Sequence, residues 1–386
     1  MSSNPAHDTF QLEGLWPNEM QNRILRAGLC EKEEAIQAMK AWLSEHDSTQ
    51  HVDEASMRLV PLAYTNLARY GFEDPIMGRF SKIAMLNRIK SMQVFKETEP
   101  VLSALSEQAI PTLVLKGLHL SKSYYQDIAA RPMSDADIAV PRAFAHEAHQ
   151  LLTDLGYSRD YPDKPFEDIL RLHHASSYSK EGCVDIDLHW RIMPLKDDPE
   201  VDKPFWETAR PQFFGQAEAL VLSPTCLFYH TVIHGVRWNP LPPLRWIADA
   251  MSQLRSDREN IDWNALEKLA QDHKTTHRLA RGMRYLREVF SVDLPNDLIE
   301  RLEKTPLSMV EKIENRLVVY NDRDENDLKA KYMRLFGEYY RASYGKNPLR
   351  FATEYLDYLI VRTTGISTRW QMIGFLTSGL LKRGVS

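Results

Sequence analysis

The stretch that decides the fold is residues 111–140, PTLVLKGLHLSKSYYQDIAARPMSDADIAV, together with a later run at 184–190, VDIDLHW. Thr112-Leu113-Val114-Leu115 is a short apolar run ending in Lys116-Gly117, the pattern of a buried strand that turns sharply at a glycine step. Residues 118–125 have helical spacing, 131–134 read as a loop, and 135–140 as a second strand. Side chains two apart on a strand share a face, so Asp135 and Asp137 project together while Ala136 and Ile138 pack on the opposite side. In the later run Asp185, Asp187 and His189 share one face, and Val184, Ile186, Leu188 and Trp190 share the other.

Two such strands lying side by side would gather three or four carboxylates. Carboxylates that close repel unless cations neutralise them. Mg²⁺ is the hard cation that oxygen ligands and nucleotide phosphates share. A pair of ions roughly 3.5–4 Å apart can activate an attacking oxygen and stabilise a leaving one. Either acidic run alone reads as a turn or as the wet face of a half-buried strand. Both together, behind a strand, Lys-Gly and helix unit, point to a two-metal phosphoryl-transfer site.

Outward from this stretch the texture is helical on both sides. Ile36, Met39, Trp42 and Leu43 form one apolar stripe, and Leu59, Leu62, Ala63, Leu67 and Ala68 another. Pro61 marks a helix start or kink, and residues 83–95 resume helical spacing after Asp74-Pro75. Pro141 opens a helix over 142–155, and 175–179 pairs with 183–190 across Lys180-Glu181-Gly182. Helices are expected over 226–235, 244–254, 263–271, 277–290 and 298–304, with a solvated acidic loop at 321–327. The fold class is α+β: a small mixed-sheet core at 109–204, flanked by a helical region at 1–108 and another at 205–386. Residues 1–15 read as a loose leader.

Bulk properties narrow the function. The net charge is −5, from 48 Lys and Arg against 53 Asp and Glu, which argues against extended nucleic acid as a partner. Cys30, Cys183 and Cys226 have no framework or metal spacing, so a reducing, cytoplasmic compartment is the simplest reading. No run reaches the roughly 20 apolar residues of a membrane span. The nearest, 370–381, is short and carries polar breaks.

LKGLHLSKSYY, RPMSDADIAV and VDIDLHWRI resemble the uncharacterised nucleotidyltransferase family of the DNA polymerase β-like nucleotidyltransferase superfamily. The resemblance is strongest over 111–191 and extends more weakly over 220–255. It implies a mixed-sheet core, Mg²⁺ or Mn²⁺, a nucleoside triphosphate such as ATP as substrate, and transfer of a nucleotidyl group to a small-molecule or protein acceptor. On this pattern Gly117 is the glycine step, Asp135 and Asp137 the acidic pair, and Asp187 the third acid, with Asp185 as its alternative. Leu118 departs from the pattern, standing where Ser or Gly is usual. Lys116, Ser121, Ser123 or Arg131 would then meet the triphosphate. The alternative function is a catalytically silent nucleotide-binding or regulatory module of the same fold.

Other residues carry competing readings. Lys116 is a phosphate contact or a solvated strand-end lysine. Arg131 is a phosphate clamp or a loop arginine pairing with Asp127 or Asp135. His189 is a ligand, an orienting group or a polar contact within the sheet. His173-His174 with Asp185 and His189 match no defensible zinc order, and His230 and His234 lack the glutamate of HExxH, with Thr231 in its place. Arg245 and Asp249 read as an intrahelical pair, with Trp246 in the core. The basic tail from 358 reads as a packed terminal helix.

Overall fold

The computed structural model describes residues 15–45, 52–237, 243–321, 328–363 and 365–381. The expected leader and most of the acidic loop at 321–327 lie outside the described residues. A seven-stranded mixed sheet forms the centre, with β1 Leu113–Val114, β2 Asp135–Ala139, β3 Ser158–Arg159, β4 Ala175–Ser179, β5 Asp185–His189, β6 Arg210–Phe214 and β7 Ala217–Val221. The strand order is β3-β4-β5-β2-β1-β7-β6. β2 pairs parallel with β5 and antiparallel with β1, while β1 runs parallel to β7. This is an α+β fold, with helices on both sides of the sheet.

The period-2 alternation read from the sequence sets the two faces. Ala136 and Ile138 of β2, with Ile186 and Leu188 of β5, are fully buried in one apolar cluster. That cluster also takes Val94, Val101, Leu102 and Leu105 from the long helix Ile76–Glu107, and Ala148, Leu151 and Leu152 from Ala145–Asp154. The carboxylates therefore face the other way. A second, larger core unites the N-terminal helices with Pro224–Gly235, Arg245–Asp257 and Thr276–Phe290. Pro224–Gly235 approaches Arg245–Asp257 closely at Gly235, where a Cβ would fall 2.0 Å from the Trp246 ring. Only glycine permits that approach, and it fixes the helix that carries His230 and His234.

The sheet continues past 204. β6 and β7 form a hairpin about Gly215, which has φ +63°. β6 is the sheet's edge, where Pro211 costs no ladder bond that a central strand would need. The terminal segment does form a helix, Arg369–Leu381, yet Trp370 is 82% exposed on it while Met372 is buried. Among the described residues no helix is long and apolar enough to cross a membrane.

Buried histidines tie stability to pH. His119 Nδ1 donates to Gln212 Oε1 at 2.8 Å, and burial holds the imidazole at about 4 against an ordinary 6.5. Burial likewise lowers His273 to about 4. Each is neutral in the fold and takes a proton more readily when unfolded. Their contribution is therefore complete above pH 6.5 and is lost as the pH falls towards 4. His119→Gln should flatten the fall in urea midpoint across that window, removing on the order of 2 kcal/mol of the acid sensitivity. An unchanged slope would refute the assignment.

Candidate active site

The site grows from the β2–β5 register. Asp135 lies opposite Asp185 and Asp137 opposite Asp187, with Ala139 opposite His189. Exposure grades along the strands: Asp185 is exposed, Asp135 and Asp187 are half-buried, and Asp137 and His189 are buried. The face thus opens to solvent at its Asp135–Asp185 end and closes at Asp137 and His189.

Asp137 is the hub. Its Oδ1 accepts from Lys116 Nζ at 2.6 Å and lies 3.2 Å from His189 Nε2. Burial pushes this carboxyl up, but the Lys116 ammonium and the His189 hydrogen bond outweigh it and hold the group below the ordinary carboxylate range. Asp187 moves the other way. Burial raises it, and the charges of Asp137 and Asp135 add to that, against a hydrogen bond donated by Ser177 Oγ to its Oδ1. Two neighbouring carboxylates with opposite shifts are what an acid–base division of labour requires.

Lys116 reaches Asp137 because it sits at φ +41°, a left-handed conformation rare for a side-chain-bearing residue. It begins the helix Lys116–Tyr124. A Cβ on Gly117 would meet Arg131 Nη1 at 3.2 Å and Met133 Sδ at 3.3 Å, so the glycine step admits the guanidinium. Ser121 is fully buried, and its Oγ has no hydrogen-bond partner among the described residues. Ser123 bonds His119 and Gln212 on the far side of the helix.

Arg131 is buried and grips Asp249 in a fork, Nε to Oδ1 at 2.7 Å and Nη2 to Oδ2 at 2.9 Å. Asp127, one expected partner of Arg131, instead takes Arg88 at 2.5 Å. The intrahelical Arg245–Asp249 pair does not form: Asp249 is taken by Arg131 and Tyr125, and Arg245 donates to the Pro132 carbonyl. Trp246 is in the core as expected. The tertiary partner wins because a bidentate fork inside the protein outweighs a solvated i,i+4 contact.

Ligand atoms of Asp137, Asp187 and His189 lie within 4.8 Å of one another, so these three could hold a metal ion. Hard carboxylate oxygens fit Mg²⁺ or Mn²⁺, and the imidazole adds a donor that manganese accepts readily. Among the described residues His189 Nδ1 and the nearby His230 Nε2 are buried without a hydrogen-bond partner, which marks the pocket as polar beyond the needs of packing. The histidine joined to the carboxylates was signalled in the sequence by its i+2 position after Asp187. The Ser177 contact had no such signal, since it depends on the β4–β5 register.

A mixed sheet with helices on both sides and an acidic pair facing a third acid on the adjacent strand define a nucleotidyltransferase-like protein. The family described as uncharacterised nucleotidyltransferase matches residues 55–291, and the chain belongs to that family. Among solved structures it is similar to an antigenic nucleotidyltransferase-like protein from Paracoccidioides brasiliensis. The identity is 13% and the TM-score 0.37, covering 55% of this chain and 98% of that one. No curated protein matches the chain.

Proposed function

We propose that the protein transfers a nucleoside monophosphate from a nucleoside triphosphate to an acceptor hydroxyl, releasing pyrophosphate. The observation that carries this reading is the in-register pairing of Asp137 with Asp187 on adjacent strands of a family member. Asp135 and Asp137 would hold two divalent ions, Asp187 would share the catalytic one, and Asp185 stands in reserve at the exposed end. Bound there, Mg²⁺ or Mn²⁺ would neutralise the triphosphate and ease ionisation of the acceptor hydroxyl.

The acceptor oxygen bonds to the α-phosphorus as the bond from that phosphorus to the bridging oxygen breaks. Pyrophosphate leaves with the electron pair. The Asp187 carboxylate takes the hydroxyl proton at the oxygen not committed to Ser177. Lys116, Gly117, Ser121 and Arg131 would position the triphosphate, Lys116 by charge and Gly117 by close backbone approach.

One observation favours the silent alternative: the Lys116 ammonium already neutralises Asp137 with no ion needed. Incubation with each of ATP, CTP, GTP and UTP plus Mn²⁺ separates the two readings. Pyrophosphate release and a nucleotidylated acceptor in a cell-extract small-molecule pool, identified by mass, are expected. Tight nucleotide binding with no release across those pools would favour the silent module.

A further inference from the structure

A cavity of about 650 Å³ lies away from the carboxylates, between Pro224–Gly235, Thr276–Phe290 and the later helices Met309–Asn321 and Leu328–Ser343. Seven of its lining residues are Lys or Arg and three are Glu, in a chain whose net charge is −5. The acids are already engaged. Glu314 pairs with Arg278 at 3.0 Å and with Arg341, and Glu338 with Arg362 at 3.3 Å. Glu311 accepts from Ser308, Thr276 and the His277 backbone. Among the described residues Arg281 hydrogen-bonds to the neutral Asn315 side chain and a backbone carbonyl. Among the described residues Arg237, Lys331 and Arg334 show no side-chain hydrogen bond or ion pair.

Arg237 and Lys331 are exposed and Arg334 is half-buried, so these uncommitted cations face the solvent from which an anion would enter and meet them. The chain also links the cavity to the carboxylate face. The strand carrying Asp187 and His189 runs on into Met193, Pro194 and Leu195 of its wall. His234 lines it one turn after His230, the two rings stacked at 5.7 Å. None of Asp135, Asp137, Asp187, Lys116 or Gly117 lines it.

We infer that this cavity binds a small phosphate-bearing molecule, and that this molecule is the acceptor rather than the nucleotide. The anion site stands on the cations alone; the word acceptor rests on the nucleotidyltransfer reading. Lys331, Arg334, Arg341 and Arg362 lie beyond the residues that the family matches and Arg237, Arg278 and Arg281 within them, so the C-terminal helices supply part of the acceptor's charge recognition.

The test is calorimetry on the full chain with inorganic pyrophosphate in EDTA, and separately with ATP plus Mn²⁺. Among the described residues Lys331 and Arg334 hold no ion pair or side-chain hydrogen bond, so the double reversal Lys331→Glu with Arg334→Glu breaks neither. Pyrophosphate should bind saturably to the wild type and about tenfold or more weakly to the double variant. The double reversal should leave binding of ATP with Mn²⁺ unchanged. Absent pyrophosphate binding, or equal affinity in the double variant, would overturn the anion site. Parallel loss of ATP binding in the double variant would give the cavity to the nucleotide and overturn the acceptor assignment. Failure of the nucleotidyltransfer reading looks different: the wild type would bind pyrophosphate but not ATP with Mn²⁺, which removes the acceptor role and keeps the anion site.

Discussion

Asp137→Ala is expected to abolish Mn²⁺-dependent nucleotide transfer while the folded spectrum and a single cooperative unfolding transition persist. Asp137 is the carboxylate on which Lys116 and His189 converge, and it faces Asp187 across the β2–β5 ladder. Its loss removes a ligand group from the cluster and leaves the ammonium without its partner. A fall in transfer rate on the order of a thousandfold or more follows from removing a group of this kind. The fold survives because the opposite face of β2, Ala136 and Ile138, keeps its contacts with the long helix. Lys116 keeps 22% of its side chain accessible, so water takes up part of its charge and the stability cost stays at about 1–3 kcal/mol, below that of a fully buried pair. Asp187→Asn should match the loss of activity. Asp185→Asn, at the exposed end, should change it little if Asp187 is the third acid. Turnover retained in Asp137→Ala would overturn the site.

The acidic face was legible because its cause is local. Strand alternation places Asp135, Asp137, Asp185 and Asp187 on one side whatever the rest of the chain does. What the period cannot say is which strands become neighbours. The parallel β2–β5 register, which sets Asp137 rather than Asp135 against Asp187, follows from a crossover through Ala145–Asp154 and the β4–β5 hairpin. The sequence over 210–221 does not announce a hairpin, because Pro211 interrupts the first strand and the apolar Leu220 stands where alternation calls for a polar side chain, although Gly215-Gln216 marks its turn. Asp249 shows the limit most plainly. Arg245 stands four residues before it on the same helix, and the actual partner, Arg131, is 118 residues away. The cation-rich cavity has no sequence signature either, since its residues come from helices separated along the chain.

Asp249→Ala should lower stability by about 3–5 kcal/mol in urea denaturation, the cost of leaving a buried guanidinium unpaired. Arg131 and Asp249 keep only 7% and 6% of their side chains accessible, so solvent cannot repair the break. Tyr125 adds a hydroxyl that donates to Asp249 Oδ1 at 2.8 Å, and it too would lose its acceptor. Arg131→Met should cost a similar amount, because it strands the carboxylate. The triple variant Arg131→Met, Asp249→Leu, Tyr125→Phe removes every polar member at once and should recover most of the loss. Single-variant costs of 1 kcal/mol or less would mean that the fork does not hold the β2 loop against Arg245–Asp257. The repaired triple variant also isolates the second role proposed for Arg131. Asp249 engages Nε and Nη2, while Nη1 lies against Gly117 at the glycine step. If Nη1 meets the triphosphate, the folded triple variant should show a raised KM for the nucleotide. An unchanged KM in that background would leave Arg131 as a structural clamp and pass the triphosphate contact to Lys116 and Ser121.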